Sequence, residues 1–434
     1  MPARTRQLSL ADIDRIVRQR CVETGSEKRV GLEIEWIPFP VADATTHAPF
    51  ELVERVARAA PRPAGSALTF EPGGQIELSS PPLPGVSAAI TCVRTDASIL
   101  RAALAQHAIE LQGIGLDTRP LRRVRDDPRY RAMEAFFDAD GFAGRRMMNA
   151  TASIQVNLDL GDAASMGRRW RLAHAIGPVL AATFANSPMV AGAPSGWRST
   201  RMANWWAMDA TRTHPARASR DRTEVHSRHD PRPATGRRLV RERLDPLALD
   251  PAQAWVEYAM RANVMLIRSS DTEHLPMRER VPFARWVEEG HELGWPTEDD
   301  LLYHLTTLFP PVRLRGWIEL RMIDALPDEW WPVAGAVAAA LLDDEEASAI
   351  AERVTAPVAS AWLLAFRFGL SRAPMAEAAR ACFSAALDAL PRMGVDVGTR
   401  ADAGRFYERY VARGRCPADD ELEPAAREMA MEVS

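Results

Sequence analysis

Two hydrophobic patterns run along the chain, one with a period of about 3.6 residues and one with strict alternation, and they predict helices and strands respectively. Ser9 and Asp12 precede apolar residues at helical spacing, which predicts a capped helix ending near Cys21. Arg168 to Phe184 predicts a second helix, and the alanine- and leucine-rich chain beyond Asp328 predicts several more. The chain is therefore expected to mix helices with strands.

Four distant segments show the alternating pattern. In each, apolar residues form one face and carboxylates, amides or arginines form the other, as antiparallel sheets with one solvated face allow. The segments predicted as strands are Val30 to Ile37, Leu68 to Ser80 with a turn at Pro72-Gly73-Gly74, Met147 to Leu160, and Arg313 to Ile323. A further strand is predicted at Ala108 to Asp117.

The polar faces of these segments are rich in glutamate. A curved sheet could bring the carboxylates of five glutamates together, and they would repel one another unless a cation lay among them. Such an oxygen-only set suits Mg²⁺ or Mn²⁺, which bridge substrate phosphates, and ATP is the natural phosphate donor. Each glutamate taken alone could equally be a solvated or salt-bridged strand residue. The five are Glu33, Glu35, Glu71, Glu77 and Glu319.

Arginine supplies nearly all the positive charge, because the one lysine in the sequence is Lys28. A phosphate-binding loop of the GK[ST] type is therefore excluded. Arg315 and Arg321 share the polar face that carries Glu319, where they could bind phosphate or a substrate carboxylate. They could also serve only to neutralise the glutamates.

The overall composition is that of a soluble globular protein. Of 434 residues, 47% are hydrophobic and 26% are charged, and the net charge of -4 gives no broad positive field for nucleic acid or a membrane. The longest apolar stretch, Val333 to Leu342, is too short to cross a bilayer, and without a signal peptide the chain is expected in the cytoplasm. Four scattered cysteines, without a CxxC pair, are expected to be isolated thiols: Cys21, Cys92, Cys382 and Cys416.

An arginine- and histidine-rich run extends from Arg212 to Arg243 within a longer segment, Ala185 to Arg243, that has no clear periodicity. It could be a solvated loop, a lid over ATP phosphates, or a nucleic-acid-binding segment. The run lacks the aromatic side chains that usually stack on bases, which favours the loop.

Four motifs together resemble the glutamate-cysteine ligase family of plants and many bacteria, in the same order and spacing. The motifs are GLEIEW at Gly31 to Trp36, EPGGQIELS at Glu71 to Ser79, MMNATASIQVNLD at Met147 to Asp159, and HLTTLFPPVRLRGWIELR at His304 to Arg321. The resemblance is strongest to an actinobacterial branch that makes γ-glutamylcysteine for ergothioneine biosynthesis. It covers roughly Val30 to Asp324.

This resemblance implies an α+β fold related to glutamine synthetase, the carboxylate-amine ligase fold, in which helices flank a curved antiparallel β-sheet funnel. It implies one catalytic domain over residues 1 to 434, with the active-site sheet at about 30–324 and a mainly helical part at 328–434. By the same likeness Glu33 and Glu319, with Gln155, would hold one Mg²⁺ between ATP phosphates. A second ion near the glutamate substrate would be held by Glu35, Glu71 and Glu77.

The resemblance also implies roles for arginines and amides. Arg321 would steady the transferring phosphoryl group, and Arg315 would join it in binding the nucleotide. Arg201 and Trp206 would lie over the amino-acid substrate, although Trp206 could equally be core packing. Further substrate-binding candidates are Arg198, Asp209, Asn157 and Asn149.

The implied reaction is ATP-dependent ligation of L-glutamate to L-cysteine through a γ-glutamyl phosphate, which needs neither a catalytic lysine nor a reactive cysteine. A ligase of the same fold that uses another amine would keep every metal ligand. An inactive binding or regulatory relative would be expected to have lost some of the carboxylates, and none is missing. The oligomeric state, monomer or weak dimer, stays open.

Overall fold

The computed structural model describes residues 7–25, 27–216, 250–268 and 273–423. Its strands are β1 Arg29–Pro40, β2 Ala67–Phe70, β3 Ile76–Ser79, β4 Leu83–Pro84, β5 Ile109–Gln112, β6 Ser153–Asp159, β7 Met189–Val190, β8 Ala193–Pro194, β9 Leu266–Arg268, β10 His274–Pro276, β11 Val312–Leu314 and β12 Trp317–Asp324. Its α-helices are α1 Leu10–Cys21, α2 Phe50–Ala59, α3 Val86–Ala105, α4 Pro128–Phe137, α5 Ala143–Ala150, α6 Met166–Thr183, α7 Thr200–Trp206, α8 Ala210–Thr213, α9 Pro251–Arg261, α10 Phe283–Glu289, α11 Glu298–Thr306, α12 Trp331–Asp343, α13 Glu345–Thr355, α14 Trp362–Phe368, α15 Ala373–Ala389 and α16 Val397–Arg409.

An antiparallel sheet of eight strands organises the molecule. Its main path runs β11-β12-β6-β1-β3-β2, and β4 and β5 also pair with β1. The long strand β1 changes partners along its length: Glu33 to Trp36 pair with β3, whereas Ile37 to Pro40 pair with β5. Helices α3, α6 and α12 pack on one face of the sheet. The other face is left for polar side chains.

The alternation predicted for β1 is confirmed. Val30, Leu32, Ile34 and Trp36 are completely buried in the main core. Helix α12 packs closely on them, since a Cβ added at Gly335 would lie 3.1 Å from a methyl carbon of Leu32. Because side chains alternate along a strand, Glu33 and Glu35 face the opposite side.

Several predicted elements are confirmed. Ser9 caps α1 in a capping box with Asp12, and the helix ends at Cys21 as expected. The segment 68–80 forms the predicted hairpin of β2 and β3. Helix α6 matches the helix predicted at 168–184, and helices dominate after residue 328. The predicted strand at 108–117 is limited to Ile109–Gln112.

Three predictions need correction. Met147 to Ala150 end helix α5, and the strand begins only at Ser153. The single strand predicted over 313–323 is a hairpin of β11 and β12, because Gly316 adopts a φ of +92° that allows a tight turn. The part of the predicted 185–243 loop that the structure describes contains β7, β8, α7 and α8.

The four cysteines, all within the described residues, are buried and form no disulfide, which confirms isolated thiols. Among the helices of the described ranges, none combines the length and apolarity needed to cross a membrane.

Candidate active site

The register of the sheet brings the polar side chains together on one face. Glu35 of β1 lies directly opposite Glu77 of β3, and on its other side β1 places Glu33 opposite Gln155 of β6. Glu319 of β12 lies opposite the residue two positions after Gln155 in β6, which faces the same side of the sheet. Like charges that face each other across a sheet are destabilising, so this arrangement needs a compensating interaction.

Strand β6 supplies the donors that orient the two glutamates of β1. The backbone amide and the Oγ of Ser153 each donate to Glu35 at 2.9 Å, and Gln155 Nε2 donates to it at 3.3 Å. Asn157 Nδ2 donates to Glu33 Oε1 at 2.9 Å. Both glutamates are thus positioned by side chains of β6.

Glu77 and Glu71 are positioned by the 67–79 hairpin. Glu77 Oε1 accepts hydrogen bonds from Thr69 and Ser79, each at 2.8 Å. Glu71 lies at the start of the turn, whose Gly73 fits tightly against another element: an added Cβ there would lie 1.9 Å from the carbonyl oxygen of Asn149. The turn requires glycine for this contact, which fixes Glu71 next to α5.

Three arginines surround Glu319, which is completely buried. Arg321 donates to Glu319 and also to Gln155, while Arg313 and Arg315 each approach the Glu319 carboxylate at 3.6 Å. Even so, Glu319 Oε2 is buried with no hydrogen-bond partner in the described chain. Glu319 and the three arginines form a compact charge cluster, in which one carboxylate oxygen of Glu319 can still accept a hydrogen bond.

Burial and mutual repulsion shift the pKa values of the glutamates. The pKa of Glu33 rises to about 7 and that of Glu71 to about 8, first through burial and then through neighbouring glutamates. Burial also raises the pKa values of Glu35 and Glu77. Burial alone would raise the pKa of Glu319, but the three arginines overcome it and lower that pKa to about 2. The raised pKa values favour a cation near the other four glutamates, whereas three arginines already neutralise the charge of Glu319.

A small chamber of about 120 Å³ opens at one end of this polar face. Its polar wall contains Glu35, Glu71, Gln155, Arg201 and Arg321, and its remaining wall is mostly apolar and aromatic. The apolar wall consists mainly of Tyr130, Met133, Met147, Met148, Trp205 and Phe309.

A wider cavity of about 630 Å³ opens at the other end. Glu33, Asn157 and Trp317 line its inner part, and Trp317 Nε1 donates to Asn157 Oδ1 at 2.9 Å. Glu33, which lines the wide cavity, and Gln155, which lines the chamber, are cross-strand partners. One pair of adjacent strand positions therefore separates the two cavities.

The structure places Arg201 in the chamber and Trp206 outside it. Arg201 is almost completely buried, on helix α7, and its ring neighbour in the chamber is Trp205. Trp206 stacks on His214 with 3.9 Å between ring centroids and also packs on Phe366. The prediction named Trp206, whereas Trp205 is the neighbour that lines the chamber; both residues suit a helix, and only tertiary packing distinguishes their faces.

Four other candidates lie away from the chamber. Arg198 pairs with Asp419 at 2.7 Å, on the side of the C-terminal helices. Asp209 caps α8 and pairs with the buried Arg212. Asn149 lies behind the 71–79 turn, where its Nδ2 donates to Glu134 and to a backbone carbonyl. Asn157 lines the wide cavity instead.

Arg315 is the most exposed of the three arginines around Glu319, at the β11–β12 turn. Its guanidinium lies 5.5 Å from the Trp317 ring centroid, so it remains close to the wide cavity. Of the arginine-rich run, Arg212 is fully buried and donates to Thr307, so it belongs to the core and not to a solvated loop. Residues 217–243 of that run lie outside the described residues.

The donor set suits a divalent cation, but its geometry is not yet that of a bound ion. The buried carboxylates with raised pKa values would gain from a cation, and Glu319 Oε2, which accepts no hydrogen bond, has an acceptor position left for one. In the described residues, however, no group of three or more His, Cys, Asp or Glu side chains is arranged to hold a metal. The metal roles therefore stay a prediction.

Several chamber residues could not be identified from the sequence. Tyr130 and Met133 belong to helix α4, whose sequence gives no sign of a site, and Met148 lies in a quoted motif but was predicted to belong to a strand. Asp324, outside the chamber, was not identified either: it is buried at the end of β12 and binds Arg201. It lies at the end of the region that the resemblance covers, three residues beyond the last motif.

Comparison with known proteins gives the chain its family. Residues 29–432 match Glutamate-cysteine ligase family 2 (GCS2). The chain is 41% identical over 416 residues to the glutamate-cysteine ligase EgtA of Mycolicibacterium smegmatis, covering 92% of each chain. It is 40% identical over 409 residues to EgtA of Mycobacterium tuberculosis, covering 92% of this chain and 87% of that one.

Among solved structures, the chain is similar to a glutamate-cysteine ligase of Francisella tularensis in complex with AMP. The TM-score is 0.49 at 10% identity, over 93% of this chain and 86% of that one. A TM-score below 0.5 does not by itself establish a shared fold. The match over residues 29–432 and the relatives at about 40% identity suffice: the chain belongs to glutamate-cysteine ligase family 2.

Proposed function

We propose that the chain joins the γ-carboxylate of L-glutamate to the amine of L-cysteine with ATP, in a pathway to ergothioneine. The products are γ-glutamylcysteine, ADP and phosphate. Relatives of about 40% identity that bear the name glutamate-cysteine ligase EgtA support the reaction. The observation that carries it is the position of four polar side chains between the wide cavity and the chamber: Glu33, Gln155, Glu319 and Arg321.

The two cavities suggest how the substrates divide. The wide cavity has room for a nucleotide, and Trp317 offers an aromatic face at its inner end. The chamber has room for about one amino acid, and Arg201 and Arg321 can pair with the carboxylates of that amino acid. ATP in the cavity and glutamate in the chamber would meet at Arg321.

The reaction then needs charge neutralisation more than a protein nucleophile. An oxygen of the glutamate γ-carboxylate attacks the γ-phosphorus of ATP, and ADP leaves. Arg321 neutralises the negative charge that the transferring group carries past Glu319. The amine of cysteine then attacks the acyl carbon, loses a proton, and phosphate departs with the former carboxylate oxygen.

Divalent cations are part of this proposal. Glu33, Glu319 and Gln155 would hold one ion, and Glu35, Glu71 and Glu77 would hold another. When bound, Mg²⁺ or Mn²⁺ would screen the phosphates and stabilise charge in the transition state. The chain's own contribution is to fix these oxygens from four strands and one turn, with Ser153 and Asn157 as the orienting donors. The same proposal includes the glutamine synthetase-like fold, in which helices flank a curved antiparallel funnel.

ADP release with glutamate and a panel of amines tests the function. We expect ADP to form fastest with cysteine and the product to have the mass of γ-glutamylcysteine. Comparable or faster rates with another amine would favour a ligase with a different acceptor. Absence of ADP with every amine would contradict the proposal and favour an inactive relative.

A further inference from the structure

The sheet contains an irregularity at the residue proposed to contact the transferring phosphoryl group. Leu320 pairs with Val156 and Ile323 pairs with Ile154, so two residues of β12, Arg321 and Met322, oppose the single residue Gln155 of β6. This is the arrangement of a β-bulge, which re-aims a side chain and leaves part of the backbone without a ladder partner. At this bulge the side chain of Arg321 donates to Gln155 and Glu319.

Arg201 binds the backbone that the bulge releases. Its Nη2 donates to the carbonyl oxygen of Arg321 at 2.7 Å, and its Nη1 lies 3.3 Å from Asp324 Oδ1. Arg201 therefore joins the bulge to a second point of β12. Because Arg201 also lines the chamber, one side chain connects the amino-acid chamber to the aim of Arg321.

Asp324 holds Arg201 in place. The carboxylate is 1% exposed and also accepts hydrogen bonds from the amide of Asn186 at 2.8 Å and the hydroxyls of Ser187 and Ser199 at 2.7 and 2.8 Å. These donors fix its rotamer. The fit is tight, since a Cβ added at Gly115 would lie 2.8 Å from the carboxyl carbon of Asp324. A buried carboxylate with this many partners is a rigid anchor.

We propose that Asp324 is a positioning residue that, through Arg201 and the Arg321 bulge, sets the binding and activation of the amino-acid substrate. Asp324 does not line the chamber, so it acts only through Arg201. The inference rests on the proposed function, because it assumes that a carboxylate substrate binds in the chamber.

The test compares Asp324→Asn with Asp343→Asn. Asp343 is another buried carboxylate with one arginine partner, Arg169 at 2.7 Å, and it lies outside the chamber. For Asp324→Asn we expect the KM for glutamate to rise by about 10- to 100-fold and kcat to fall, as for residues that orient the groups in direct contact with a ligand. The KM for ATP should change less than about twofold. Asp343→Asn should leave both KM values near those of the unmodified protein.

A second variant covers the possibility that Asp324→Asn does not fold. Gly115→Ala removes no polar group but should displace the Asp324 carboxylate, and we expect a smaller rise in the same KM. Calorimetric titration with glutamate gives a readout independent of turnover. Equal glutamate affinity in the unmodified protein, Asp324→Asn and Gly115→Ala would overturn the inference. An unmodified protein without ligase activity would instead contradict the proposed function.

Discussion

The chamber and the wide cavity lie on the same face of one sheet, but they differ in how their charges are compensated. The chamber has a volume of about 120 Å³. Glu35 and Glu71 line it together with Arg201 and Arg321, and most of these side chains are buried. The wide cavity is about five times larger, and its charged rim includes Arg29, which is solvent-exposed and paired with an acidic neighbour. Charged side chains are held by protein partners in the chamber, whereas at the rim of the wide cavity they are exposed to solvent.

This difference predicts what substitutions will do. Buried charges depend on their partners, so a change in or beside the chamber should affect catalysis, and it should also affect stability where it leaves a buried charge without its partner. Changes at the rim of the wide cavity should weaken nucleotide binding alone, because water replaces what is lost. The following experiments can break or sharpen this comparison.

The largest effect is expected from two glutamate-to-glutamine variants. Glu35→Gln and Glu319→Gln should each lower kcat by about 10³-fold or more, since each removes a charge at the site of phosphoryl transfer. Only Glu319→Gln should also lower the melting temperature, because it leaves Arg313 and Arg321 without their carboxylate. Steady-state kinetics and thermal unfolding measure the two effects. Activity within tenfold of the unmodified protein in either variant would contradict the metal and charge roles.

The adjacent tryptophans give the next effect. Trp205→Ala and Trp206→Ala should each cost about 3–5 kcal/mol of unfolding free energy, because both rings are packed. Trp205→Ala should also raise the KM for glutamate, since Trp205 lines the chamber. Trp206→Ala should not, because its ring packs on His214. A selective rise in the KM for glutamate in Trp206→Ala would favour Trp206, the tryptophan predicted from the sequence, and would contradict the chamber as the glutamate site.

The sequence predicted the sheet better than the chamber. Alternation placed Glu33, Glu35, Glu77 and Glu319 on polar faces, because a strand has only two faces and the apolar one must be buried. The register that sets Glu35 against Glu77 needs pairing between distant strands, which a local pattern does not encode.

Helical and irregular elements were harder to predict. Trp205 and Trp206 are neighbours on α7, and a difference of one position changes the face of a helix by about 100°. The bulge at Arg321 and the turn at Gly316 both interrupt a pattern that reads as one continuous strand. Asp324 could not be recognised as an anchor, because its partners Asn186, Ser199 and Arg201 come from another part of the chain.

Stability should depend on pH in the metal-free protein. The folded pKa values of Glu33 and Glu71, about 7 and about 8, lie above the ordinary 4.5, so the folded state binds protons more tightly than the unfolded state. The stabilisation that these two glutamates give the folded state is complete below the ordinary pKa, and it is lost as the pH rises through about 7 and about 8. With EDTA present, the melting temperature should fall between about pH 5 and about pH 8.

Added Mg²⁺ should reverse that fall, and more strongly at the higher pH, because a cation binds the ionised carboxylates of the folded state. Glu35→Gln is the matched comparison, since it removes one of the repelling charges and should flatten the pH dependence. A metal-free melting temperature that rises across this range would contradict the pKa shifts. No response to Mg²⁺ at any pH would contradict the cation sites.

The smallest effect is expected at the wide cavity. Trp317→Ala should raise the KM for ATP by about tenfold, because it removes the aromatic face at the inner end of the cavity. Trp317→Phe keeps a ring but loses the 2.9 Å hydrogen bond to Asn157, so a rise of only about two- to threefold is expected. Neither variant should change the KM for glutamate. If Trp317→Ala altered glutamate binding as strongly as ATP binding, the two cavities would not act as separate substrate sites.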